Sequence, residues 1–244
     1  MGKLHESISD RLAAFMLAQP VFFVATAPSA ADGHVNLSPK GLGGTFAVLD
    51  PHRVAYLDYT GSGVETIAHL RENGRIVIMF CAFDGPPNIV RVHGHGEPVF
   101  PSDPRFPLLR AAFPPAGRMP EKGLRSIIEV TADRISDSCG YAVPLMDFRE
   151  HRDVLDRWTE RKTADQLDQY HLEKNSASID GLPGLLPVPA AQTAQAGPDP
   201  AGGLGRPARP GSIVCGYDPG VGTDRPQISP LRSGHRTAER RRRR

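Results

Sequence analysis

The sequence predicts a mainly β protein of the α+β class: a six-stranded antiparallel barrel with short helices, then a C-terminal helical appendage and a disordered tail. Three observations carry this expectation. Segments rich in β-branched and aromatic residues follow one another through the first part of the chain. The breaks between them are short turn signals, such as Asp32-Gly33 and Asp84-Gly85-Pro86-Pro87, which favour hairpins over long crossovers. The composition then changes twice, to a charged helical stretch after Asp147 and to a Pro/Gly/Arg-rich stretch after Pro187.

In chain order, Ser9-Asp10 caps a first helix in which Leu12, Phe15, Met16 and Gln19 recur at helical spacing, and Pro20 stops it. Strands are expected at 21–26, 34–38, 53–59, 75–83, 89–99 and 125–136, and six of them with few long crossovers read as a barrel. Two short helices interrupt them. One spans 64–72 and ends at Asn73-Gly74; the other spans 103–113 and ends at Pro114-Pro115. Between 147 and 175, Val154, Leu155, Trp158, Leu167, Tyr170 and Leu172 supply the apolar positions of one bent helix or two. Such an appendage packs on its own barrel or on a neighbouring subunit. The expected division is a barrel at 1–147, a helical extension at 148–187 and a tail at 188–244 too poor in large apolar residues to offset its ordering entropy.

The formal charge of +2 hides an uneven distribution. Residues 1–187 carry 19 basic and 23 acidic side chains, whereas the tail holds ten Arg, no Lys and four acidic residues. The basic balance belongs to the tail and gives no reason to expect the body to bind nucleic acid. The arginine run at 240–244 is a solvated end or a weak contact for nucleic acid or another anionic surface. Cys81, Cys139 and Cys215 show no CxxC spacing and cannot all pair within one chain, which favours a reducing compartment. No apolar run approaches the roughly 20 residues that span a bilayer. The apolar stretch at 12–27 is preceded by Glu6 and Asp10 and broken by Gln19-Pro20, unlike a signal peptide, so a cytoplasmic location is expected.

The strongest local feature is Tyr59-Thr60-Gly61-Ser62-Gly63-Val64-Glu65-Thr66, which leaves a strand and opens a helix. Its glycines let the backbone turn tightly and present N–H groups, the helix N-terminus adds partial positive charge, and the hydroxyls of Thr60, Ser62 and Thr66 are donors for an anion. The spacing is neither a P-loop nor a dinucleotide fingerprint. An ordinary glycine-rich turn capped by Ser62 fits it equally well. Asn36-Leu37-Ser38-Pro39-Lys40-Gly41 ends a preceding strand, and Lys40 is the only evident cation for the same anion. Arg91, His93 and His95 alternate along one strand and share a face, with Val90 and Val92 turned into a core. His93-Gly94-His95 is a metal pair only if a third ligand joins it; plain surface histidines are the simpler reading.

Three stretches in this order, residues 33–41, 54–66 and 89–94, resemble the pyridoxamine 5′-phosphate oxidase-like family over about residues 8 to 145. The resemblance implies a six-stranded split β-barrel, a homodimer, and FMN bound at the subunit interface. It implies that the segment around Ser38 to Lys40 lies along the flavin and its ribityl chain, that Thr60, Ser62 and Gly63 meet the phosphate, and that Arg91 approaches the ring or the phosphate, with Asn36, Tyr59 and Thr66 also expected among the cofactor-binding residues. A cation there suits the flavin ring, where negative charge gathers on reduction. The Arg- and His-bearing C-terminal motif with which the true oxidase holds its vitamin substrate has no counterpart. Residues 139–148, Cys-Gly-Tyr-Ala-Val-Pro-Leu-Met-Asp-Phe, stand there instead and resemble another branch of the family, so vitamin B6 oxidation is not expected. Cys139 is expected to be a packed thiol rather than a nucleophile, since no His is placed beside it by sequence.

The function these features imply is an FMN-dependent oxidoreductase acting on a small molecule, with no catalytic side chain singled out. A flavin-binding, storage or sensor protein without turnover is the alternative, and so is a reductase using the deazaflavin F420, which similar barrels bind.

Overall fold

The computed structural model describes residues 2–114 and 121–185; the expected disordered tail at 188–244 and Cys215 lie outside them. In chain order the elements are β1 (Lys3–His5), α1 (Asp10–Ala18), β2 (Phe22–Thr26), β3 (Asn36–Lys40), β4 (Phe46–Asp50), β5 (Arg53–Tyr59), α2 (Glu65–Asn73), β6 (Arg75–Cys81), β7 (Ile89–Val99), α3 (Phe106–Arg110), β8 (Leu124–Ser138), α4 (Val154–Glu160) and α5 (Ala164–Lys174). A single 3-10 turn, Glu121–Gly123, leads into β8.

All strand pairings are antiparallel, in the order β3-β2-β6-β7-β8-β5-β4, with β1 added on β8. The mainly β class with short helices is therefore as expected, and among the described residues the strand number is corrected from six to eight. The two additions are β1, held to β8 by His5 against Asp137 at 2.9 Å, and β4, the hairpin partner of β5. The path is open, since its end strands β3 and β4 do not pair with each other. It nevertheless coils around one interior. Phe22 of β2 and Phe46 of β4 lie near opposite ends of the path, yet their ring centroids are 5.4 Å apart, and Phe80 of β6 is 4.9 Å from Phe46.

That interior takes Val24, Val54, Tyr56, Ile78, Val90, Val92 and Val130 from the sheet, closed by Leu12 and Met16 of α1 and by Ile67 and Leu70 of α2. A smaller cluster on the other face joins Ala47, Ala55, Leu57 and Ile127 to Leu109 and Phe113 beside α3. Because strand side chains alternate, Val54 and Tyr56 face one cluster and Ala55 and Leu57 the other, which is why β5 is apolar without a gap from Val54 to Leu57. The helix α1 starts where expected, with Ser9 Oγ accepting from the Leu12 N–H. The helix α2 ends at Gly74, whose φ of 71° is left-handed and whose N–H returns to the Leu70 carbonyl. A side chain at Gly74 would run into the His95 ring as well as strain the backbone.

Candidate functional site

The strand β5 delivers the chain to the cradle, and the neighbours of the cradle fix which way its peptides face. The Thr60 N–H and hydroxyl both donate to the Gly123 carbonyl, at 2.8 and 3.1 Å. The Thr60 oxygen lies 2.9 Å from His171 Nε2. Since its one proton is already given to Gly123, the imidazole is the donor there. Burial, and then the Arg125 charge, push His171 below its ordinary pKa, so the ring is neutral at pH 7 with its proton on Nε2.

The Gly61 carbonyl accepts from Asn175 Nδ2 at 3.0 Å, and the Gly63 carbonyl accepts from Arg125 Nη1 at 2.9 Å. Both carbonyls thus face the protein. Across a trans peptide the next N–H points the opposite way, so the amides of Ser62 and Val64 point away from those donors; Ser62 is exposed there, whereas Val64 is 1% exposed. Val64 is the N-cap of α2 and offers no side-chain cap, and Val64, Thr66 and Ile67 at this end of the helix are buried. Ser62, exposed between the two glycines, is not the cap that an ordinary turn would have used. The exposed amide and hydroxyl of Ser62 beside a helix N-terminus are groups that can hold an anion.

Beneath it lies a buried charge triad. Asp58 is fully buried and accepts from Arg125 Nε at 2.6 Å, Lys40 Nζ at 3.2 Å and Ser126 Oγ at 3.3 Å. Burial drives the Asp58 carboxyl up, but the charges and hydrogen bonds of Arg125 and Lys40 outweigh it and hold the pKa down at about 2. One carboxylate between two cations leaves a net positive charge under the cradle. Lys40 keeps N–H donors beyond the one given to Asp58. The expectation that Lys40 is the only cation here is corrected by Arg125, which also donates to Asn175 Oδ1 at 3.1 Å.

The other expected site residues are distributed unevenly. Asn36 donates to Thr66 Oγ1 at 3.0 Å and to Thr26 Oγ1 at 3.2 Å, and accepts from Ser38 Oγ at 3.1 Å. Thr66 is therefore buried and occupied with β3 instead of turned to the cradle. Thr60 likewise spends its hydroxyl on the backbone. Tyr59 faces the smaller cluster beside Phe113; burial raises its phenol to about 12, against a smaller opposing effect of Arg110. The side chain of Glu65 leans over Gly63.

Arg91 is not brought to the cradle within one chain. It pairs with Ser136 and donates to Ser138 Oγ at 3.1 Å, whereas Tyr59 pairs with Leu124 at the other end of β8, a separation of about 40 Å along the strand. Val90 and Val92 point inward as expected, and His93 and His95 keep the outer face. Among the described residues no group of three or more His, Cys, Asp or Glu is placed to hold a metal. Cys139 is exposed, which corrects the packed thiol expected there; Cys81 is the buried one.

The family model that matches is that of pyridoxamine 5′-phosphate oxidase, over residues 8–139. A pyridoxamine 5′-phosphate oxidase family protein of Aspergillus flavus, ustO, is 41% identical over 205 residues, covering 76% of this chain and 78% of that one. Among solved structures, an FAD-binding protein of Mycobacterium smegmatis is similar at 15% identity and a TM-score of 0.37, covering 54% of this chain and 95% of that one. An FMN-binding protein of Syntrophomonas wolfei is similar at 15% identity and a TM-score of 0.37, covering 56% and 85%. On the family model and the 41% identical relative, this chain belongs to the pyridoxamine 5′-phosphate oxidase family.

Proposed function

We propose that this chain is an FMN-dependent oxidoreductase acting on a small molecule, working as a homodimer with flavin at the subunit interface. The observation that carries the reading is the orientation of the cradle in a member of this family. The carbonyls of Gly61 and Gly63 are held inward, so the exposed Ser62 offers its amide and hydroxyl outward above a net positive triad. Those residues fit a phosphate monoester. The Glu65 carboxylate over Gly63 is a contrary charge, and in this reading its flexible end has to swing aside for the anion to enter.

In this reading the Ser62 hydroxyl and amide hold the phosphate, with Lys40 supplying charge from below. Ser38 and Asn36 line the wall toward the ribityl chain, and Arg91 of the partner subunit stands toward the ring. Bound FMN supplies the hydride or electron transfer, and the protein supplies position and electrostatics. No side chain is assigned a proton-transfer role.

The test is mass spectrometry of the cofactor released from purified protein, followed by reduction with NADPH and reoxidation by an acceptor. FMN with reversible bleaching supports the proposal. F420 in its place would move the chain to the deazaflavin reductases. Bound flavin inert to every reductant would make it a flavin-binding or storage protein. Colourless protein that does not take up added FMN would overturn flavin binding altogether.

A further inference from the structure

We infer that Asn175 is a positioning residue for the phosphate cradle, so that the C-terminal extension sets how tightly the barrel holds a phosphorylated flavin. The inference rests on the reading of the cradle as an FMN phosphate site and adds to it a residue far away in sequence.

The last turn of α5 lies against the cradle. His171 and Asn175 are one turn apart on the same face, and they reach consecutive residues, Thr60 and Gly61. Asn175 is fully buried and uses both ends of its amide, donating to the Gly61 carbonyl and accepting from Arg125. Arg125 in turn holds the Gly63 carbonyl. One side chain therefore fixes the Gly61–Ser62 peptide directly and the Gly63–Val64 peptide through Arg125. The outward Ser62 amide exists because the Gly61 carbonyl is held inward. The backbone beyond Asn175 is itself anchored, since the Leu185 N–H donates to the Asn175 carbonyl and Arg71 donates to the Gly184 carbonyl.

Without the Asn175 amide the Gly61 carbonyl loses its partner, and a peptide flanked by glycine is free to turn over. It would then present a carbonyl, an acceptor, where the phosphate needs a donor. The effect falls on the phosphate alone. A flavin without phosphate makes no use of the cradle.

The experiment compares FMN with riboflavin in the full chain, by quenching of flavin fluorescence, for the wild type, Asn175→Ala and Asn175→Asp. The aspartate keeps the shape and the acceptor for Arg125 but removes the donor to Gly61, so it remains informative if the alanine variant fails to fold. Expected is a loss of FMN affinity of about tenfold or more in either variant with riboflavin affinity unchanged. Equal weakening of both flavins, or unchanged FMN affinity in folded Asn175→Asp, would overturn the inference and leave the proposed function standing. A wild type that binds FMN no better than riboflavin would overturn the phosphate reading, and the inference with it.

Discussion

Asp58 sits in a strand otherwise filled by apolar side chains, and it is tolerated there only because Arg125 and Lys40 meet it from either side. Its carboxyl titrates at about 2 when folded against an ordinary 3.8. A lowered pKa contributes stability that is complete above the unfolded value and disappears as pH falls through the folded one. The wild type is thus expected to lose about 2 kcal/mol between pH ~4 and ~2 on this account, read by urea unfolding across that range. At pH 7, Asp58→Asn leaves the buried Arg125 and the partly buried Lys40 facing each other and should cost about 3–5 kcal/mol; its stability should lack the Asp58 share of the acid-limb drop. A wild-type acid limb as flat as the variant's would contradict the assigned charge state. Ser62 makes the opposite case, being exposed and structurally idle. Ser62→Asp sets a carboxylate against phosphate and is expected to weaken FMN binding about a hundredfold, while unfolding changes by no more than about 0.5 kcal/mol. The residues of the cradle itself were legible because a glycine turn opening a helix is a local pattern. Arg125 and Asn175 were not. Their contacts to Gly63 and Gly61 join residues 62 and 114 positions apart, and no spacing rule reaches across strand registers.

Among elements, the strands read from β-branched and aromatic runs appear where they were expected, and β5 and β7 do so to the residue. The strand β4 was missed although Phe46-Ala47-Val48-Leu49 is apolar, because Gly41 to Gly44 before it reads as loop and Asp50-Pro51 follows at once. Three residues of β1 carry no pattern of their own; pairing with β8 makes them a strand. The strand β4 matters more than its length suggests. Phe46 is the contact through which one end of the open sheet reaches Phe22 and Phe80 toward the other. Without hydrogen bonds between β3 and β4, the ring cluster is what holds the coil closed. Phe46→Ala is expected to cost about 3–5 kcal/mol in urea unfolding, with a lower m-value as the splayed native state exposes more surface before it unfolds. A cost below about 1 kcal/mol would mean that the sheet keeps its curvature by strand pairing alone.

At the scale of the molecule, the fold class was legible and the way its sheet ends was not, since closure depends on which strands meet and the sequence carries only which strands exist. The same holds for the site. The family resemblance gathers the cradle and Arg91 around one flavin, whereas a single chain keeps them at opposite ends of β8. In the proposed homodimer a second chain would remove the conflict, and exposed apolar side chains offer a surface on which that proposal can be tested. Leu145, Met146 and Phe148 are exposed along the segment after β8, and Met146 and Phe148 line a cavity with Leu17, itself exposed at the end of α1. Side chains of this size left in water together mark a contact surface. If each flavin site combines the cradle of one subunit with Arg91 of the partner subunit, the two halves can be spoiled separately. Ser62→Asp destroys the cradle of its own chain, and Arg91→Ala removes the cation it lends to the other. Mixed and reassociated, the two variants form heterodimers in which one site pairs the intact cradle of the Arg91→Ala chain with the intact Arg91 of the Ser62→Asp chain. The other site is doubly defective. Tight FMN binding is therefore expected to return to about one site per heterodimer, measured by titration at fixed protein concentration, while either homodimer alone binds weakly. Sites contained within single chains would recover nothing on mixing, because every chain would still carry its own defect.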